Sequence, residues 1–258
     1  MFCGKCGTKI NDGDSFCTNC GAKAVGVIKQ SDEDFIFDEN ETDTDTASKL
    51  KNLISEVKCV NEYENNIEVI DMESIKFGLY PQTLYKSNKN EPIEWLVLQK
   101  VIQDNRALLI SKYGLFDANY DENYRDFSGY EYVNWEECPL RKKLNDDFIS
   151  TAFSIDEIEL IERVTVFNTD YDEHTHRDGN DTNDKIFLLS INEANKYFTS
   201  NKQRVCYKAY DNNSNCAWWL RTTFDGISRG IEEKGTISKS EFTPYFSYSV
   251  RPAMWVKY

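Results

Sequence analysis

Four cysteines open the chain in two close pairs, Cys3 with Cys6 and Cys17 with Cys20, spaced Cys-x2-Cys-x10-Cys-x2-Cys. Two intervening residues let both thiolates of a pair point at one ion from a tight knuckle. Gly7 and Gly21, directly after the pairs, tolerate the twist that turns backbone amides toward the sulfurs. Two such knuckles complete a tetrahedron of four thiolates, which suits one Zn²⁺, with iron in a rubredoxin-like site as the alternative metal. No coordination position is left for water, so the ion is structural and does no catalysis. So short a segment builds no hydrophobic core, and metal binding there amounts to folding.

Other residues of chemical interest are fewer. Cys59, Cys138, Cys206 and Cys216 are scattered, and free or buried thiols are their expected state; a Cys206–Cys216 bridge is the less favoured alternative. These two cysteines also carry the reading of a cysteine-dependent enzyme, for which no base can be identified. The histidines, His174 and His176, lie among Asp170, Asp172 and Asp178. The residue types suit a metal, but alternate positions in a polar loop need not converge, and the ligand order of a calcium loop is absent. No phosphate-binding glycine loop, Ser-His-Asp set or paired catalytic carboxylates stand out, so the catalytic assignment is none.

The elements that would position these groups follow from periodicity. From Ser31 to Asp45 there are eight acids and no base, a run too charged to bury itself, read as a linker. Phe35-Ile36-Phe37 within it reads as incidental to that linker, with a short docking motif as the other reading. Leu50, Leu53, Ile54 and Val57 give a helix over Ala47 to Val60. Alternating Ile75, Phe77 and Leu79, the run Trp95 to Leu98, Arg106 to Tyr113, Lys185 to Leu189, Trp218 to Thr222 and Ser249 to Val256 read as strands. Pro139 to Phe153 is a helix opened by proline. Ser154 with Glu157 and Ser190 with Glu193 are capping boxes that start short helices, about Ile155 to Arg163 and Ile191 to Phe198. Strands and helices grouped without regular alternation indicate an α+β fold. The expected division is a ribbon over 1–24, an acidic linker with its short helix over 25–65, and a large domain over 66–258.

The chain has 258 residues and a formal net charge of -14. That balance disfavours nucleic acid and anionic membranes as partners, since phosphate neutralisation needs clustered Lys and Arg. No apolar run is long enough to span a bilayer, and Met1 leads into no export signal. A cytoplasmic protein, binding an unknown protein or small ligand, is expected.

Two resemblances refine this. MFCGKCGTKINDGDSFCTNCG resembles the short zinc ribbons that begin many bacterial proteins, which implies a structural zinc module. IKFGLYPQ, PIEWLVL, ALLISKYGLF, LRKKLNDDFISTAFS, DKIFLLSINEANKYF, NCAWWLR and SVRPAMWV resemble the domain-of-unknown-function 6273 family over Asp71 to Tyr258. That family looks like a C-type-lectin-like fold, similar in its WWLR and VRPA motifs to variable proteins of diversity-generating retroelements and to formylglycine-generating-enzyme-like domains. The resemblance implies a ligand-facing segment from Thr222 to Tyr248, where Phe224, Asp225, Arg229, Tyr245, Phe246 and Tyr248 are the candidate binding residues. Trp218, Trp219, Trp255, Arg221 and Arg251 at its ends are expected in the core, each arginine holding carbonyls or carboxylates with its planar fork. The reading is a zinc-binding, lectin-like binding protein; the alternatives are a formylglycine-generating-enzyme-like or other metal- or cysteine-dependent enzyme, and a transcription-associated ribbon adaptor.

Elemental analysis of the purified chain is expected to give one zinc per molecule, and replacing Cys17 and Cys20 together by Ser to abolish it. Zinc retained by that double variant refutes the four-thiolate site.

Overall fold

The computed structural model describes residues 43–82, 90–122, 133–169, 178–238, 242–244 and 246–258. The ribbon cysteines, His174, His176 and Tyr245 lie outside the described residues. Residues from Glu41 onward form one unit. Its first helix, α1 (Asp43–Glu56), buries Leu50 and Ile54 against α4 (Ile155–Leu160) and β1 (Ile75–Pro81), while Leu53 points outward. The apolar stripe expected there therefore seals the large domain, and the helix belongs to the fold rather than to a tether.

Two four-stranded sheets carry the rest. The first has the order β1-β2-β3-β12, with β2 (Asn90–Val101), β3 (Arg106–Ser111) and β12 (Ala253–Lys257), all antiparallel. Trp95, Leu96, Val97 and Leu98 on β2 and Ala107 to Ile110 on β3 are buried on both faces, as central strands require. In β1 the expected alternation breaks: Ile75 and Phe77 are inside but Leu79 is outside, because a bulge at Gly78 (φ +72°) shifts the register. Gly78 also lies where a Cβ would come within 2.5 Å of Phe153 Cε1 and 2.7 Å of the Ala152 carbonyl.

The second sheet has the order β10-β9-β11-β4, with β4 (Phe116–Asn119), β9 (Trp218–Phe224), β10 (Ile227–Ile231) and β11 (Ser247–Val250). β9 and β10 join through Asp225 (φ +51°) and Gly226 (φ +74°), the two left-handed residues of a tight hairpin turn. The strand expected over Ser249 to Val256 is two strands in different sheets. Pro252 has no N–H for a ladder, and at Arg251-Pro252 the chain leaves β11 beside β9 and enters β12 beside β3.

Three helical stretches run on without a break from Pro139: α2 (Pro139–Lys143), a π-helical turn (Leu144–Phe148) and α3 (Ile149–Ala152). The wider turn aims Asn145 at residues 185–186. Its Oδ1 accepts from the N–H groups of Lys185 (3.0 Å) and Ile186 (3.2 Å), and its Nδ2 donates to the Ile186 carbonyl (2.7 Å). Ile186 to Leu189 are buried, yet the run is not the expected strand: at its start a side chain takes the bonds a neighbouring strand would have made, leaving one bridge between Phe187 and Ala253. Both capping boxes form, opening α4 and α5 (Ile191–Tyr197). Between these helices β5 (Val164–Val166) pairs with β6 (Thr182–Asp184), and the last helix, α6 (Asn201–Arg204), leads into β7 (Tyr207–Lys208), which pairs with β8 (Asp211–Asn215).

Replacing Gly78 by Ala is expected to cost about 2 kcal/mol or more, since positive φ and an immovable carbonyl both oppose a Cβ. Chemical denaturation of wild type and variant measures it; an unchanged midpoint contradicts the bulge geometry.

Candidate functional site

A cleft of about 710 Å³ opens between β4 and β11 on one side and α2 with the π-helical turn on the other. Its strand wall is polar because the register sets like-facing residues opposite one another: Asn119 faces Ser247 and Asp117 faces Ser249. Lys142, Lys143, Asp146 and Asp147 line the helical wall, and Glu122 the rim. Lys142 pairs with Asp146 at 2.9 Å, while the Lys143 ammonium stands 5.2 Å from the Phe116 ring centroid.

Asp117 connects this cleft to the interior. One carboxylate oxygen accepts from Lys208 Nζ at 2.6 Å and the other from Ser249 Oγ at 2.6 Å. The Ser249 hydroxyl also hydrogen-bonds with the Cys216 thiol, and Cys216 with Cys206. Gly114 makes room for the group: a Cβ there would lie 2.7 Å from Ser249 Cβ and 3.2 Å from Cys216 Sγ.

Behind the thiols lies Arg251, fully buried. Its Nε donates to the Ser111 carbonyl at 2.7 Å and its Nη2 to the Lys112 carbonyl at 3.4 Å, while the guanidinium stands 5.2 Å from the Phe198 ring centroid and 5.1 Å from that of Trp218. Among the described residues no carboxylate forms an ion pair with it, and its Nη1 has no hydrogen-bond partner. Burial lowers its pKa, and the thiols beside it act the other way.

The four described cysteines are free thiols in distinct environments. Burial raises Cys59 above its ordinary value and pushes Cys138 up to about 12. Burial also acts to raise Cys206. There it is outweighed by the Cys216 hydrogen bond, the Arg251 charge and backbone groups of Gly114 and Tyr207, which leave Cys206 below its ordinary value. Cys216 is raised, first by its bond to Cys206 and then by burial. The pair is thus split, Cys206 releasing its proton more readily than Cys216.

The candidate binding residues fall into two groups. At the end of β9, the Arg229 guanidinium lies 5.5 Å from the Phe224 ring centroid, and Asp225 forms the hairpin turn. At the start of β11, Phe246 is half-exposed, and Tyr248 packs on Trp219 (4.9 Å) and Phe242 (4.6 Å). Ser249 is level with Trp218, so Tyr248 sits at the start of β9 and Phe224 about 20 Å along it. The two groups form no single patch. Asp178 is committed to the fold, accepting from Thr223 Oγ1 at 2.7 Å and the Gly226 N–H at 3.0 Å. Among the described residues, no three His, Cys, Asp or Glu gather as a metal site. Residue type marked Cys206 and Cys216 for chemistry; Asp117, Ser249 and Lys208 carried no such signal, because strand register alone brings them together.

The family described as Domain of unknown function (DUF6273) matches residues 95–258, and a zinc-ribbon domain matches residues 2–24. No curated protein and no solved structure matches the chain. Among the described residues, no helix is long and apolar enough to cross a membrane.

Replacing Gly114 by Ala is expected to destabilise the protein by about 1–3 kcal/mol, because the methyl group meets a strand Cβ and a buried sulfur that have no free space to enter. Thermal denaturation checks this; a neutral substitution places Ser249 and Cys216 further from residue 114 than described.

Proposed function

The chain belongs to the family described as Domain of unknown function (DUF6273), and on that premise we propose that it is a non-enzymatic binding protein, C-type-lectin-like in its large domain. Its N-terminal ribbon carries one structural zinc ion through Cys3, Cys6, Cys17 and Cys20. The single observation that carries the binding reading is the cleft between β4 and α2. It is open, its walls come from a sheet and a helix that hold each other in place, and its groups are mixed in charge: two lysines, four acids, an asparagine and a serine. Such a lining suits a polar ligand that exchanges many hydrogen bonds, an oligosaccharide or a short peptide segment. The lectin-like reading draws on the architecture: the last strand returns to the sheet of the first, and a second sheet beside it supplies the cleft. Phe246 flanks Ser247 at the cleft wall, so the start of β11 is the part of the candidate ligand face that adjoins it.

The net charge of -14 favours a protein or small-molecule partner over nucleic acid. Four free thiols among the described residues favour a reducing compartment such as the cytoplasm. The cysteine-dependent enzyme has the thiol pair beside Arg251 in its support, but both sulfurs are buried beyond reach of a sizeable substrate.

Ligand-observed NMR against sets of oligosaccharides and short peptides tests the proposal. At least one class is expected to give saturation transfer, and Ser247→Trp, which fills the cleft from an exposed strand position, to reduce it at least tenfold. Failure of every compound to bind, or binding unchanged in the Trp variant, refutes a function based on this cleft.

A further inference from the structure

Cys206 and Cys216 occupy opposed positions just beyond the β7–β8 pair, where Tyr207 faces Asn215, and the Cys216 N–H donates to the Cys206 carbonyl at 2.8 Å. Opposed residues of an antiparallel pair hold their Cα atoms about 4.5–5.5 Å apart with both side chains on one face. A disulfide spans about 4.4–6.8 Å between Cα atoms. The two sulfurs already share a hydrogen bond, so closing a bond between them needs little backbone movement.

Two further features separate this pair from Cys59 and Cys138. Arg251 is fully buried and, among the described residues, has no carboxylate ion pair, so its positive charge stands beside the two sulfurs and favours loss of a proton from Cys206. Ser249 then links Cys216 to Asp117, whose carboxylate lines the open cleft and gives a proton a path outward. A dithiol serving only to fill space needs neither the cation nor the path.

We propose that Cys206 and Cys216 are a reversible dithiol–disulfide pair, oxidised by a small hydroperoxide, with Arg251 as the positioning cation. The Cys206 thiolate attacks one peroxide oxygen; the S–O bond forms, the O–O bond breaks, and the departing hydroxide takes up the proton Cys206 had released, giving water. Cys216 passes its proton through Ser249 to Asp117, and its sulfur attacks that of Cys206. The S–S bond forms, the S–O bond breaks, and the hydroxide leaves as a second water with the proton from Asp117. Two thiols and one hydrogen peroxide thus become one disulfide and two waters, and an external dithiol reverses the change by exchange.

The test is peptide mapping of the zinc-loaded full chain after limited hydrogen peroxide, under non-reducing conditions. Trypsin cleaves after Lys208, so a Cys206–Cys216 bond joins two separate peptides. The expected result is that cross-link, reversed by dithiothreitol, with Cys59 and Cys138 still free. Cys216→Ser is expected to stop at a Cys206 sulfenic acid trapped by dimedone. Arg251→Gln is expected to slow cross-linking about tenfold at neutral pH relative to wild type, recovered about one pH unit higher. Recovery of both cysteines as free thiols, sulfinic acid at Cys206 without a cross-link, or bonding only to other cysteines overturns the proposal. These readouts need no variant, so they stand even if Arg251→Gln fails to fold. An Arg251→Gln pH profile matching wild type overturns the role of the cation.

Discussion

Where β11 leaves one sheet and β12 enters the other, the chain has to bury a turn at Arg251-Pro252, and the hydrogen bonds at that turn decide whether the sheets can dock. The Pro252 carbonyl accepts from the Ser111 N–H at 2.9 Å, and Arg251 Nε donates to the Ser111 carbonyl at 2.7 Å. Both backbone polar groups of Ser111, at the end of β3, are thus satisfied from the crossover. The guanidinium lies against Phe198 and Trp218, which carry it as part of the core between the sheets. A lysine retains the charge but not the planar fork that reaches two carbonyls, so the position selects for arginine on geometry as well as charge.

Arg221 repeats this device on the neighbouring strand. Its guanidinium donates to the carbonyls of Leu188 (2.8 Å) and Phe167 (3.0 Å) and pairs with Glu193, the residue that also closes the capping box of α5. Tryptophans follow the same rule: Trp218 donates to the Arg204 carbonyl at 3.1 Å, Trp219 to that of Ala118 at 2.8 Å, and Trp95 to that of Phe77 at 2.7 Å. Much of the interior between irregular segments is therefore stapled by side chains bonded to backbone. That is how a fold with many short strands satisfies its buried carbonyls.

Features decided within a few residues were legible in the sequence. The capping boxes at Ser154 and Ser190 and the proline-started helix are local. Features decided across the fold were not. The Lys185 to Leu189 run has strand composition, but Asn145, some forty residues earlier, takes the bonds of its first two residues and Arg221 those of the Leu188 and Leu189 carbonyls. Ser249 to Val256 reads as one strand because nothing but Pro252 marks its change of sheet. Phe224 and Tyr248 looked like parts of one surface because sequence distance does not reveal that β9 and β11 run parallel, with the two residues at opposite ends. The thiol pair was visible by residue type, but its partners Asp117 and Ser249 are separated by 132 positions and meet only through pairing of β4 with β11.

The thiol pair draws its surroundings from three separated stretches: Ser111 to Asp117 after β3, Cys206 to Cys216 around β7 and β8, and Ser249 to Arg251 at the crossover. Contacts of such long sequence separation close late in folding, because loop entropy must be overcome before they can stabilise anything. The site therefore exists only once both sheets are docked, and docking is incomplete until Arg251 has its carbonyls. A change of charge at the sulfurs is then felt first by the buried guanidinium and, through it, by the turn that joins the sheets. In the other direction, Ser249 carries the same change to Asp117 and the cleft. Asp117, Ser249, the two sulfurs and Arg251 thus form one run of hydrogen bonds and close contacts from the cleft wall to the crossover, so a change of charge at any of them alters the interactions of the rest.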